Sequence, residues 1–138
     1  MKIIALLRED GRMPNTGIAK SLGISEGSVR RRISRMNREG LTRISTFVNQ
    51  GMLGYEVDAV IAIKADPTEV KDVAEAIVKL PEVRYVGIAV GEYDIMVSAC
   101  LKSNSELLSF LTGTIGKIQG ITRTQTFMIL DVMKHDYE

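Results

Sequence analysis

Five arginines fall within nine consecutive residues: Arg30, Arg31, Arg32, Arg35 and Arg38. A guanidinium carries a fixed positive charge and five N–H donors, which suit phosphate oxygens and the acceptor edge of guanine. Among them stand Val29, Ile33 and Met36 at i, i+4 and i+7, the spacing of one buried helical stripe. The arginines therefore cover the other faces of the same helix. Ser25 is placed to be its N-cap and Gly40, after Glu39, to stop it. A shorter helix over 15–22 precedes it, with Asn15 or Thr16 as N-cap, and Gly23 opens the turn between the two. Two helices joined by a short Gly-containing turn form the shape that sets the second helix in the DNA major groove. Its N-terminal residues then face base edges. Ser25, Glu26, Ser28, Arg30 and Arg31 are the candidates for base readout. Arg32, Arg35, Arg38 and Arg43 are the candidates for phosphate contact.

A second group with chemical potential is Gly91-Glu92-Tyr93-Asp94. Amides exposed at a tight turn can take a carboxylate, and an acidic side chain can take an ammonium. An α-amino acid offers both groups. An ordinary strand connection uses Gly and Asp for backbone reasons alone, so the residues by themselves leave both readings open. Other chemistry has little support. The single His135, the single Cys100 and scattered carboxylates have no metal-ligand spacing, and no metal is expected. No phosphate loop, dinucleotide-binding glycine motif or nucleophile–base pair is present, and no cofactor is expected. Cys100 reads as core, and the methionines as fillers of core and interface gaps.

The charge balance divides the chain. Residues 1–45 hold ten basic and four acidic side chains, a balance of +6. Residues 46–138 hold eight basic and thirteen acidic ones, a balance of −5. A basic third joined to an acidic remainder points to one part that meets polyanions and another that does not. No apolar run is long enough to span a bilayer. A lone cysteine fits a reducing, cytoplasmic setting, nucleoid-associated if DNA is the partner.

The elements that must position these residues follow from periodicity. Residues 2–9 predict a first helix, short and uncapped. The alternation in 41–48 predicts a strand or wing. Residues 49–56, with two glycines, read as a linker. Beyond it, strands are expected over 57–64, 83–90, 95–101 and 121–132. Helices are expected over 67–79, capped by Asp66, and from Ser103 or Asn104 to about 115, with Leu107, Leu108, Phe110 and Leu111 inside. The order is β-α-β-β-α-β, a ferredoxin-like unit, so the fold class is α+β. The implied domains are 1–48, a winged helix-turn-helix, and 57–138. Val57, Ala59, Ile61 and Ile63 share one face of the first strand, with Val60 and Ala62 opposite. Both helices cover one face, and the second apolar face calls for another copy of the sheet.

A winged helix-turn-helix followed by βαββαβ resembles the Lrp/AsnC family, the leucine-responsive or feast/famine transcription regulators. Asp10-Gly11-Arg12, the run from Ile18 to Ser25, Val29-Arg30-Arg31-Arg32-Ile33, and Gly91-Glu92-Tyr93-Asp94 carry the resemblance. It implies a homodimer that assembles further, reads double-stranded operator DNA through the third helix, and senses an amino acid or related metabolite in the C-terminal domain. It makes the 91–94 turn an effector loop, with Ala89 and Val90 beside it and Thr124, Gln125 and Thr126 as the other wall. Gly91→Ala or Asp94→Ala is then expected to remove the response to amino acid and leave the dimer and its DNA contacts nearly intact. Two alternatives remain. One is an architectural protein that coats DNA without an effector. The other is a tetrapyrrole decarboxylase of the same layout, for which the C-terminal part offers only Arg84, Arg123 and His135.

Overall fold

The computed structural model describes residues 1–134. His135 lies outside the described residues. The chain divides between Phe47 and Val48 into two compact units.

The first unit is three helices: α1 (Lys2–Glu9), α2 (Asn15–Leu22) and α3 (Glu26–Arg38). Ile3, Ile18, Ala19 and Val29 are its buried core, ringed by partly buried Leu6, Leu22, Ile33 and Met36. α1 has no side-chain cap, as its sequence implies. α2 departs from expectation: Pro14 is its N-cap, and neither Asn15 nor Thr16 caps it. Proline sets the extended backbone that launches the helix. α2 ends at Gly23, with φ 65°. Ser25 caps α3, its hydroxyl accepting from the Ser28 amide at 3.2 Å. α3 closes with Gly40 N donating to Asn37 O and Leu41 N to Met36 O, the paired bonds of a Schellman motif, with Gly40 at φ 71°.

The expected strand over 41–48 does not form; residues 42–49 are irregular. A strand is built by pairing, and the sheet of the described residues consists of four strands that all lie beyond this segment. Leu41, Ile44, Phe47 and Val48 are exposed, so the wing is absent from this head. A short 3₁₀ turn, Gly51–Leu53, follows.

The second unit is β1 (Val57–Ala65), α4 (Val70–Val78), β2 (Val83–Ile88), β3 (Ile95–Leu101), α5 (Asn104–Ser109) and β4 (Ile121–Ile129). The sheet order is β2-β3-β1-β4, antiparallel throughout. This is the predicted βαββαβ order. Val57, Ala59, Ile61, Ile63 and Ala65 of β1, with Ile95, Val97, Ala99 and Leu101 of β3, are buried with Val73, Ala74 and Ile77 of α4 and Leu107 and Phe110 of α5. Both helices therefore lie on one face.

Element ends shift for physical reasons. Asp66 holds a turn rather than capping α4. Its carboxylate accepts from the Thr68 amide and hydroxyl at 2.9 and 2.7 Å, bonds that hold its pKa below the ordinary value. α4 then starts at Val70 with Glu69 as N-cap. β4 stops at Ile129, which pairs with Asp58 one residue from the start of β1, short of the expected end at 132. After α5 the chain makes a π turn (Phe110–Thr114) and a 3₁₀ turn (Ile115–Lys117). The π turn closes i to i+5, which keeps both Phe110 and Ile115 buried. Leu108 points outward, against expectation, and Val78 of α4 does so too, each 63% exposed. Met52 and Met133 are also exposed rather than filling gaps.

Adjacent residues of α4 give a direct test. Ile77→Ala should cost about 2–5 kcal/mol by denaturant unfolding. Val78→Ala should stay within about 0.5 kcal/mol, since nothing buried is lost.

Candidate functional site

α3 displays its arginines in two classes. At 100° per residue, Gly27, Arg31, Ser34 and Arg38 fall directly opposite the buried Val29–Ile33–Met36 stripe. Arg35 and Ser28 lie beside that outward row, and Arg30 and Arg32 flank the helix. All five arginines are exposed. An open concavity of about 1080 Å³ runs along this surface, lined by Met1, Ile3, Ser28, Ser34, Met36 and the arginines. Glu26 sits in the first turn, where a carboxylate favours the helix dipole. Ser28 accepts a hydrogen bond from Arg31 Nη2 at 3.3 Å. Arg43 lies in the irregular segment and is exposed, so it does not sit on a wing strand.

The 91–94 turn is tied down by its own side chains. Asp94 Oδ2 accepts from the Ala65 amide at 2.9 Å. That amide lies where the β1–β4 register shifts, between Lys64 and Ala65. The Asp94 amide donates to Ile63 O at 2.9 Å, and Asp94 O accepts from Ala89 N at 2.8 Å. Glu92 pairs with Arg123 of β4, and its carbonyl accepts from Lys64 Nζ at 3.0 Å. Tyr93 Oη donates to Gln125 Oε1 at 2.6 Å, and the Arg123 guanidinium lies 5.1 Å from the Tyr93 ring centre. The hydrogen bond to Glu92 is the main reason Arg123 holds its proton more firmly than usual. Gly91 has φ 145°, a conformation that disfavours a side chain. The space beside it is open, since an added Cβ meets nothing within 4 Å.

The predicted effector residues are brought together only in part. Gln125 reaches the turn. Thr124 and Thr126 pair with Ile63 and Ile61, and so lie on the opposite, helix-covered side of the sheet. Val90 is fully exposed, and β2 ends before it, at Ile88. A smaller open concavity of about 260 Å³ lies beside Glu82, Leu101, Glu106 and Phe110. Neither concavity is lined by residues of the 89–94 or 124–126 stretches. Nothing in the sequence marks Lys64 at this turn, and Arg123 is named there only for the decarboxylase alternative. Their signal is a cross-strand pair, visible only once the β1–β4 register is known.

The uncovered face of the sheet is built from cross-strand rows. Tyr85, Ser98, Val60 and Phe127 form one row; Gly87, Met96, Ala62 and Gln125 form the next. Tyr85 is 60% and Phe127 46% exposed. Cys100 lies on this face, paired with Asp58. Burial first, then Asp58, pushes its thiol pKa up, so it stays protonated at neutral pH. Among the described residues no cluster of His, Cys, Asp and Glu could hold a metal ion. Arg84 and Arg123 sit on β2 and β4, the two opposite edge strands of the sheet. No helix among the described residues is long and apolar enough to cross a membrane.

The AsnC-type helix-turn-helix domain model matches residues 1–37, and the Lrp/AsnC ligand binding domain model matches 58–138. The chain belongs to the Lrp/AsnC family. It is a transcriptional regulator with a DNA-binding helix-turn-helix and a ligand-binding domain. An uncharacterised HTH-type transcriptional regulator of Pyrococcus furiosus is 40% identical over 137 residues, 99% of this chain and 93% of the relative. The HTH-type transcriptional regulator FL11 of the same organism is 36% identical, over 99% of this chain and 91% of its own length. Among solved structures, Escherichia coli AsnC superposes with a TM-score of 0.90 at 24% identity, covering 97% of this chain and 91% of that one. A Neisseria meningitidis transcriptional regulator solved as a complex with L-Met gives 0.88 at 22% identity, covering 97% and 89%. At these identities the two structures establish the shared fold.

The Asp94 contact revises what substitution there should do. Its carboxylate satisfies a part-buried backbone amide at a sheet irregularity, so Asp94→Ala should cost about 1–3 kcal/mol of stability. Asp94→Asn, which keeps an acceptor oxygen, should recover much of the loss. Thermal unfolding of the two variants decides between this role and one confined to ligand contact.

Proposed function

We propose that this Lrp/AsnC regulator reads specific operator sequences through α3, works as a dimer joined through the open sheet face, and responds to a small amino acid. The observation that carries the DNA reading is the outward row of α3. It is capped, rigid and positively charged, while the stripe that holds it in the head is wholly apolar. Ser28, Arg30 and Arg31 lie toward the N-terminal end, where recognition helices meet base edges. Arg35 and Arg38 lie toward the other end, suited to phosphates. Ser25 and Glu26 then act chiefly on the helix itself, the first by capping and the second by its charge near the N-terminus.

The dimer reading rests on the rows Tyr85–Ser98–Val60–Phe127 and Gly87–Met96–Ala62–Gln125, an apolar sheet surface that neither helix covers. A second copy packed sheet against sheet removes this surface from water. The effector reading rests on the turn at Glu92–Asp94 and the charged groups beside it. Both signs of charge, from Glu92 and Asp94 and from Lys64 and Arg123, meet there. A zwitterion is the ligand that matches both. An effector that binds one assembly better than another shifts the population of assemblies, and with it the spacing of DNA heads. The site of action is the cytoplasm, on the nucleoid.

Arg38→Ala should weaken binding to all duplexes alike and flatten the dependence of log K on log salt by about one unit. An unaltered slope would remove α3 from the interface. The intact protein should select a near-palindromic site with half-sites about 10 bp apart, or a multiple of that. Binding without selection would instead favour the architectural reading.

Sedimentation at micromolar concentration should show no folded monomer, and Phe127→Asp should produce one. Calorimetry against the twenty amino acids should find at least one ligand whose binding changes oligomer size or DNA affinity. If none binds, the amino-acid part of this reading falls and the DNA part stands.

A further inference from the structure

The first turn of α3 holds a chain of hydrogen bonds that nothing in its capping role requires. Ser25 Oγ accepts from the Ser28 amide, which completes the cap, and donates its own proton to Ser28 Oγ at 3.2 Å. Ser28 Oγ also accepts from Arg31 Nη2 at 3.3 Å. A hydroxyl oxygen has two acceptor sites and one proton. Both acceptor sites of Ser28 are occupied, so its proton is directed outward as a donor. Arg31 has spent one of its five N–H groups and presents the other four. Its guanidinium is folded back over the N-terminal turn: Nη1 lies 3.5 Å from where a Cβ on Gly27 would stand.

We infer that the Ser25–Ser28–Arg31 chain fixes Arg31 and sets the Ser28 hydroxyl beside it as a second outward donor, a donor pair that selects guanine at one position of each half-site. This rests on the reading of α3 as the DNA-reading helix. The selection follows from the edges of the bases. In the major groove guanine presents two neighbouring acceptors, N7 and O6. Adenine pairs an acceptor with an N–H₂ donor, cytosine presents a donor, and thymine presents one acceptor beside a methyl group. A free arginine can adapt to phosphates as readily as to bases. An arginine held against Ser28 has lost part of that freedom before DNA arrives, so less ordering remains to oppose the base contact. Ser28 is a positioning residue in this scheme as well as a donor, and Ser25 positions both.

The test is selection of bound sequences from a random duplex pool, with the full chain and three variants. The unaltered protein should enrich guanine roughly tenfold or more at a symmetric pair of positions. Ser28→Ala should reduce that preference several-fold, and Ser28→Thr, which keeps the hydroxyl, should restore it. Ser25→Asp retains a good N-cap, but its carboxylate accepts and cannot donate, so it draws the Ser28 proton inward. It should lower the guanine preference too. Its added charge weakens all sequences alike and does not imitate a loss confined to one base position.

Undiminished guanine preference in Ser28→Ala or in Ser25→Asp would overturn the inference. So would a protein that binds duplexes in a salt-dependent way and enriches no guanine; that result leaves DNA binding by α3 intact. Failure of the unaltered protein to bind any duplex would remove the reading of α3 itself, and the inference with it.

Discussion

β1 is the strand on which the C-terminal unit depends, because it is a central strand paired along most of its length with β3 on one side and β4 on the other. Its odd-numbered residues, from Val57 to Ala65, are all buried against α4 and α5. Strand side chains alternate between faces, so this forces Asp58, Val60, Ala62 and Lys64 onto the other face, where no helix lies. A one-residue slip would exchange the two sets and place Asp58 and Lys64 in the core. Register is therefore fixed by the cost of burying charge, and it decides everything across from β1. It sets Gln125 opposite Ala62 and Arg123 opposite Lys64. It also sets which side of the sheet the Tyr93 side chain must cross to reach Gln125.

The same register explains why the 91–94 turn is more than a connection. β1 runs on past its last pairing with β3, Ile63 with Ile95, and the Ala65 amide lies beyond the end of that ladder. Asp94 supplies the acceptor. The turn is thus anchored to the central strand by a carboxylate, and to the edge strand β4 by the Glu92–Arg123 pair and the Tyr93–Gln125 bond. The pair is exposed at both partners and contributes little to stability. The Asp94 bond serves a part-buried amide and matters more. A ligand that recruits Arg123 would thus give up little by separating it from Glu92, whereas one that recruits Asp94 Oδ2 must leave the Ala65 amide unsatisfied.

Much of this was legible in the sequence wherever periodicity and caps act locally. The spans of α1, α2, α3 and β3 and the Ser25 and Ser103 caps needed only neighbours in the chain, and the βαββαβ order needed only their sequence. What could not be read depends on partners far away. Residues 41–48 alternate like a strand, yet a strand is a property of a pair, and the sheet of the described residues is made of four strands beyond them. Thr124, Gln125 and Thr126 look like one polar wall; β pleating sends Gln125 to one side and the threonines to the other. Asp66 before Pro67 has the form of a helix cap, and Thr68 instead closes a tight turn on it. The roles of Lys64 and Arg123 were hidden for the same reason, since 59 residues separate them in sequence.

The head and the C-terminal unit handle charge in opposite ways, and the difference bears on how a regulator keeps affinity and sensing apart. In α3 the arginines do not hold the helix in the head. The Val29–Ile33–Met36 stripe does that, helped by the Ser25 cap and the closing bonds at Gly40 and Leu41. An arginine there can be changed with little effect on folding, which under the proposed DNA reading leaves affinity and preference free to vary. At the 91–94 turn the charged groups are themselves structural: Asp94, Glu92, Lys64 and Arg123 all hold backbone or one another. A ligand that engaged Asp94 there would compete with a bond that anchors the turn to the central strand. Its binding would be coupled to local structure, and such coupling is the physical requirement for a small molecule to alter how sheets, and the chains that carry them, assemble.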